Sequence, residues 1–169
     1  QIVKIARQNS LPVVARGAGT GLSGGAIAEH GGVVIAMSRM TRILEVNEYD
    51  RYAVVQPGVV NLDLSNHVGP SGLYYAPDPS SQRACTIGGN IAENSGGPHC
   101  LAYGVTTNHV LGLEVVLADG TITQLGGAGR EYQGYDLRGI IIGSEGTLAI
   151  ATTITVRLLR IPETVKTML

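Results

Sequence analysis

The segment Arg16-Gly17-Ala18-Gly19-Thr20-Gly21-Leu22-Ser23-Gly24-Gly25 carries the most chemical content in the chain. It follows Pro12-Val13-Val14-Ala15, an apolar run that reads as a short buried strand. A loop so poor in Cβ atoms can turn successive backbone N–H groups toward one point and form an anion-binding nest. Thr20 and Ser23 add hydroxyl donors, and Arg16 adds positive charge. Hydrogen bonds to a charged partner contribute about 1.5–3 kcal/mol each, so several suffice to hold a pyrophosphate. Five glycines in nine residues also exceed what a plain turn requires.

Two familiar patterns overlap this loop, and neither fits its context. Gly19-x-Gly21-x-x-Gly24 has the dinucleotide-fingerprint spacing, and Glu45 lies at a suitable distance for a ribose contact. That motif must open a helix, and Gly24-Gly25 followed by Gly31-Gly32 leaves no room for one. Gly21-Leu22-Ser23-Gly24-Gly25 also spells a nucleophile elbow, but its serine sits deep inside the loop. A P-loop is excluded because the chain has no Gly-Lys pair.

Two further glycine segments stand downstream. Thr86-Ile87-Gly88-Gly89-Asn90-Ile91-Ala92-Glu93-Asn94-Ser95-Gly96-Gly97 follows the proline-stiffened stretch Ala76-Pro77-Asp78-Pro79-Ser80-Ser81, and Gly143-Ser144-Glu145-Gly146-Thr147-Leu148 precedes the last long strand. Three glycine loops separated by strands suggest backbone packed along one extended ligand. His30 and His67 read as surface turn residues, His99 as a loop residue and His109 as the start of a strand. Neither these histidines nor Cys85 and Cys100 have zinc-ligand spacing, so no metal site is expected. The two cysteines read as reduced packing thiols.

The elements that must position these loops are legible in outline. Residues 1–9 form an amphipathic helix, 12–16 and 33–36 form apolar strands, and the order points to a small parallel α/β layer. Residues 42–46 and 52–56 flank a polar turn and predict an antiparallel hairpin. Helical spacing follows from Val59 to His67. His109 to Leu117 and residues 121–125, joined at Asp119-Gly120, predict a second hairpin. Tyr135 to Ile142 reads as a short helix and Thr147 to Leu159 as a β-rich run.

Composition narrows the class. The chain has 169 residues, 24 of them glycine, with 44% hydrophobic and 15% charged residues, which is one globular domain's worth and excludes disorder. A net charge of −1 without a basic run argues against nucleic acid. No apolar stretch approaches the ~20 residues of a membrane span, and no signal pattern follows Gln1.

Taken together and in order, P-V-V-A-R-G-A-G-T-G-L-S-G-G, Y-Y-A-P-D-P-S-S, T-I-G-G-N-I-A-E-N-S-G-G-P-H-C-L-A-Y-G and G-S-E-G-T-L resemble the vanillyl-alcohol-oxidase (PCMH) type of FAD-binding domain. The likeness is greatest to the FAD-linked D subunit of bacterial glycolate oxidase and to FAD-dependent D-lactate and D-2-hydroxyglutarate dehydrogenases. It covers essentially the whole chain. The fold it implies is α+β and two-lobed, with residues 1–41 as the first FAD-binding lobe and 42–169 as the second, a mostly antiparallel sheet with helices. Both ends are expected to be incomplete, with the N-terminal elements missing and the substrate-binding cap beginning beyond Leu169.

The resemblance places the pyrophosphate of FAD in the loop from Arg16 to Gly25 and Pro57 and Gly58 near the adenosine. Along the flavin it places Pro77, Asp78, Ser80, Ser81, Gly88, Gly89, Asn90, Asn94, Gly96 and Gly97, with Tyr103 and Gly104 closing that segment. Gly143, Glu145, Gly146 and Ile150 match the last FAD-contacting turn, where Ala149 replaces the usual glycine. Some relatives attach FAD covalently through a first-loop histidine; Thr20 stands there, which implies noncovalent FAD.

The activity implied is oxidation of a D-2-hydroxy acid to the 2-oxo acid. Electrons then pass to a separate acceptor, for the glycolate oxidase likeness an iron–sulfur partner subunit. The resemblance implies a cytoplasmic location, with such a partner able to hold the protein at the inner membrane. The catalytic base is unknown, since the family carries it in the cap, and the chain alone is expected to be inactive. Two alternatives stay open: another family member with a different substrate, or a non-catalytic nucleotide-binding module.

Overall fold

The computed structural model describes residues 1–129, 134–164 and 166. Leu169, where the sequence reading places the start of a cap, lies outside them. The chain opens with helix α1 (Ile2–Gln8), whose Ala6 is buried, and strand β1 (Val13–Arg16). Strand β2 (Val33–Ala36) pairs with β1 in parallel, Val13 opposite Val33 and Arg16 opposite Ala36. The glycine loop from Gly17 to Gly25 leaves the end of β1, as a loop at the carboxyl end of a parallel strand does in ligand-binding α/β layers.

The hairpin expected next is present as β3 (Ile43–Asn47) and β4 (Tyr52–Val55). Helix α2 (Asn61–Val68) buries Asn61, Leu64 and Val68, and a 3-10 turn leads to strand β5 (Leu73–Tyr74). Helix α3 (Ile87–Glu93) then occupies a stretch whose glycines read as loop. Two features outweigh the low helix propensity of Gly88 and Gly89. The Thr86 side chain caps the helix by accepting the Gly89 N–H at 3.3 Å. In addition, Ile87, Asn90 and Ile91 recur at helical spacing and are buried.

The short helix α4 (Cys100–Tyr103) precedes a 3-10 turn ending at His109, so the following strand β6 (Val110–Leu117) begins one residue later than its sequence suggests. Strand β7 (Ile122–Gly126) completes the second hairpin. Helix α5 (Arg138–Ile141) is shorter than the 135–142 span expected and leaves Tyr135 outside it. Strands β8 (Ala149–Arg157) and β9 (Leu159–Arg160) follow.

These strands form a five-stranded antiparallel sheet in the order β3-β4-β8-β6-β7, beside the β1-β2 pair and a two-stranded β5-β9 ribbon. The Thr- and Ile-rich β8 lies in the middle, hydrogen-bonded to β4 and β6. The core joins this sheet to the helices through Val55, Leu64, Ile87, Leu113, Ile154 and Leu158, all under 2% exposed. The fold is α+β, as expected.

Candidate functional site

Helix α3 is held from two sides by the glycine segments. On one side loop 17–25 leaves β1 and presses against the helix start. An ideal Cβ on Gly17 would fall 2.5 Å from Thr86 Oγ1, so only glycine fits there without a shift. On the other side Gly143 and Glu145 donate their backbone N–H groups to Ile91 O and Ala92 O at 2.9 and 2.8 Å. That turn satisfies carbonyls at the end of α3 that the helix leaves open. Its left-handed residues are Gly143, Glu145 and Gly146.

A third contact comes from the turn after β4. Pro57 O accepts the Gly88 N–H at 2.8 Å, and a Cβ on Gly88 would lie 2.6 Å from Pro57 Cβ. Gly58 N–H donates to Met40 O at 2.8 Å, which ties this turn to the exit from β2. Glycine at 17 and 88 is therefore demanded by protein packing, before any ligand is considered.

Between the loop and α3 lies an open cleft of about 750 Å³, lined by all of residues 16–25 and by Ser81, Cys85, Gly89, Asn90 and Glu93. A smaller, mostly apolar cavity of about 70 Å³ continues beside it, lined by Pro57, Gly88, Ile91, Ile141, Glu145, Gly146 and Ile150. Within the first loop, no backbone hydrogen bond reaches residues 18–23 among those described. The loop is exposed, so its main-chain N–H groups stand free at the border of the cleft and are available to a ligand. That is the property of an anion nest, with left-handed Gly19 and Gly24 bending the backbone.

The structure thus gathers residues 16–25, Pro57, Ser81, Gly88, Gly89, Asn90, Glu145, Gly146 and Ile150 along two adjoining cavities. Asn90 also has a structural task. Its buried amide accepts from Asn61 Nδ2 at 2.9 Å and donates toward Cys85 Sγ and Ser95 Oγ at 3.3 and 3.4 Å. Gly58, Pro77, Asp78, Ser80, Asn94, Gly96, Gly97, Tyr103, Gly104 and Gly143 do not line these cavities.

Several of those residues are fixed by close contacts and hydrogen bonds of their own. A side chain on Gly97 would strike Asp78, one on Gly104 would strike Asn108, and Asn94 Oδ1 accepts the Thr107 N–H at 2.9 Å. Asp78 Oδ2 lies 2.6 Å from His99 Nδ1. Tyr74 beside this pair has its phenol pushed up to about 12, first by burial and then by the hydrogen bond to Tyr103. Sequence reasoning missed Thr86 and Glu93 as cleft residues; the Thr–x–x–Gly start of α3 is a usable signal for the first, and nothing local marks the second. No group of three or more metal-ligating side chains occurs among the described residues.

The FAD-binding domain family model matches residues 1–126, three quarters of the chain, including the first loop and all of α3. The chain belongs to the FAD-binding domain family. FAD is its cofactor, and the cleft fits that ligand: unpaired loop N–H groups suit the pyrophosphate, and the apolar cavity adjoins them. This FAD-binding domain is 49% identical to glycolate oxidase subunit GlcD of Escherichia coli over 168 residues, 99% of the chain and 34% of that protein. It is 49% identical to the Bacillus subtilis GlcD over 170 residues, 36% of that protein, and 45% identical to D-lactate dehydrogenase of Archaeoglobus fulgidus over 158 residues, 35% of that protein. A solved alkyldihydroxyacetonephosphate synthase superposes with a TM-score of 0.81 at 27% identity, covering 96% of this chain and 32% of the other. The FAD-binding domain spans about a third of the length of the curated relatives it matches. No described helix is long and apolar enough to cross a membrane.

Proposed function

We propose that this FAD-binding domain serves a flavin-dependent oxidoreductase that converts a D-2-hydroxy acid, glycolate or D-lactate, to the 2-oxo acid. The observation that carries this reading is the 49% identity to a glycolate oxidase subunit across 99% of the chain, glycine loops included. A D-2-hydroxyglutarate dehydrogenase of Stutzerimonas stutzeri at 43% identity over 162 residues favours the same reaction on a larger acid as the second reading. Residues 1–41 and 42–169 form the two lobes in this reading, supported by the parallel β1-β2 pair lying before residue 42 and the antiparallel sheet after it.

When bound, noncovalent FAD supplies the two-electron acceptor. The chain's part is to hold and enclose it. Loop 17–25 donates N–H groups to the pyrophosphate, with Arg16 as the countercharge and Thr20 and Ser23 as hydroxyl donors. Gly17 and Gly88 let that loop and the Pro57 turn close on α3. The cavity around Ile91, Ile141, Ala149 and Ile150 offers an apolar wall that keeps water from the cofactor. The Pro77–Ser81 and Gly96–Gly104 segments support the far side. An iron–sulfur partner subunit is the electron acceptor in this reading, and through it the protein is held at the inner membrane from the cytoplasm. The likeness to named subunits of an oxidase supports a multi-subunit setting.

The test is the visible spectrum of the purified chain after incubation with FAD and desalting. A flavin band that acid releases supports the reading, and a colourless full-length polypeptide carrying this domain overturns it. Anaerobic bleaching of that band by glycolate, D-lactate or D-2-hydroxyglutarate, in the polypeptide that carries this domain, decides among the acids.

A further inference from the structure

Glu93 stands in an unexpected place for a site that takes an anion. It is the last residue of α3, where the helix dipole disfavours negative charge. Its exposed carboxylate reaches across the cleft to the first loop, and Oε2 accepts the Ser23 hydroxyl at 3.2 Å. Oε1 lies 3.0 Å from where a Cβ on Gly21 would stand. Since no backbone hydrogen bond reaches residues 18–23 among those described, this one side-chain bond ties the stretch to the rest of the fold.

Ser23 has a single hydroxyl proton to donate. While Glu93 accepts it, a bound phosphate cannot. The charged side chains lining the larger cleft are Arg16 and Glu93, so the carboxylate also offsets the guanidinium where an anion must sit. We propose that Glu93 is a latch on the phosphate-binding loop: in the free chain it holds Ser23, and the incoming pyrophosphate displaces it and takes over the hydroxyl. The identity of that anion as the pyrophosphate of FAD rests on the flavin reading above. Glu93 thereby sets how fast and how tightly the cofactor enters, and keeps the loop in place before it does.

Quenching of flavin fluorescence gives both the FAD dissociation constant and, in stopped flow, the association rate. The latch requires Glu93→Gln and Glu93→Ala to bind FAD faster and tighter than the parent chain, by about fivefold to tenfold, the scale of one solvent-exposed hydrogen bond. Ser23→Ala should bind more weakly, and adding Glu93→Ala to it should recover only part of the gain. Riboflavin, which has no phosphate, should bind all five proteins equally. Equal or weaker FAD binding by Glu93→Gln overturns the latch. Failure of every protein to bind FAD overturns the flavin reading instead. In that case titration with inorganic pyrophosphate, followed by the amide resonances of Gly19, Gly21 and Ser23, decides the latch by the same comparison of variants.

Discussion

The Thr86 hydroxyl oxygen caps α3 and at the same time fills the space in which a side chain on Gly17 would have to lie, 2.5 Å from an ideal Cβ. One atom therefore sets both the start of the helix and the closeness of the loop. Gly17→Ala should destabilise the chain by about 1–3 kcal/mol as an overpacked contact. Thr86→Ala should cost about 1 kcal/mol for the lost cap. Removing the oxygen leaves Thr86 Cβ 3.8 Å from the new methyl group, an ordinary contact. The double variant should thus be more stable than the sum of the two losses, by at least about 0.5 kcal/mol in urea denaturation. Strict additivity would mean that the loop yields freely at Gly17.

Arg138 clamps α5 to the sheet where β6 changes register. The pairing of β6 with β8 shifts between Val110 and Gly112, and Arg138 Nη1 donates to Val110 O and Leu111 O at 2.8 and 2.9 Å. A carboxylate at Asp136, held below its usual range chiefly by its hydrogen bond to Arg138, orients the guanidinium through Nε at 2.9 Å. Arg138→Met keeps the stem and removes the charged donors that reach Val110 O and Leu111 O at the bulge. A loss of about 2–3 kcal/mol is expected in denaturant unfolding.

The buried pair Asn61 and Asn90 links three segments. Asn61 Nδ2 donates to Pro77 O and to Asn90 Oδ1, both at 2.9 Å. Asn90→Ala leaves that donor one acceptor short and should cost about 1–3 kcal/mol of stability. If flavin affinity fell while the unfolding midpoint stayed unchanged, Asn90 would be a ligand contact rather than a structural one.

His109 sets an acid limit on stability. It is 3% exposed and donates Nε2–H to Tyr103 O at 2.8 Å, and burial lowers its pKa below 6.5. Between the folded value and 6.5 the unfolded chain binds more protons than the folded one, so stability rises with pH through that window and is complete above it. The urea midpoint should therefore fall from pH 7.5 to pH 5.5, and the drop should be smaller in His109→Gln. Equal drops in both proteins would assign the acid sensitivity to groups other than His109.

Much of this architecture is visible in local sequence because local rules govern it. Alternation and turn residues mark both hairpins, and an unbroken apolar run into glycine marks β1 and its loop. Helix α3 escapes detection because Gly88 and Gly89 are poor helix formers, and what demands Gly88, the approach of Pro57, comes from about thirty residues away. The pairing of β4 with β8 is equally hidden, since nothing near Val54 specifies Thr155 as its partner. The cleft was legible where glycine-rich backbone lines it, at residues 16–25, and illegible where a side chain crosses it, as Glu93 does.

The place of β8 has a consequence for synthesis. Residues 149–157 leave the ribosome after every other strand of this sheet, yet they fill the gap between β4 and β6. Until they emerge, two hairpins wait with unpaired edges, a state open to misassociation. Closure across about a hundred residues also makes folding slow relative to local structure. Residues 1–126, the span of the family match, stop short of this strand. A chain trimmed to that boundary would lose the keystone of its sheet while retaining the whole of loop 17–25 and α3.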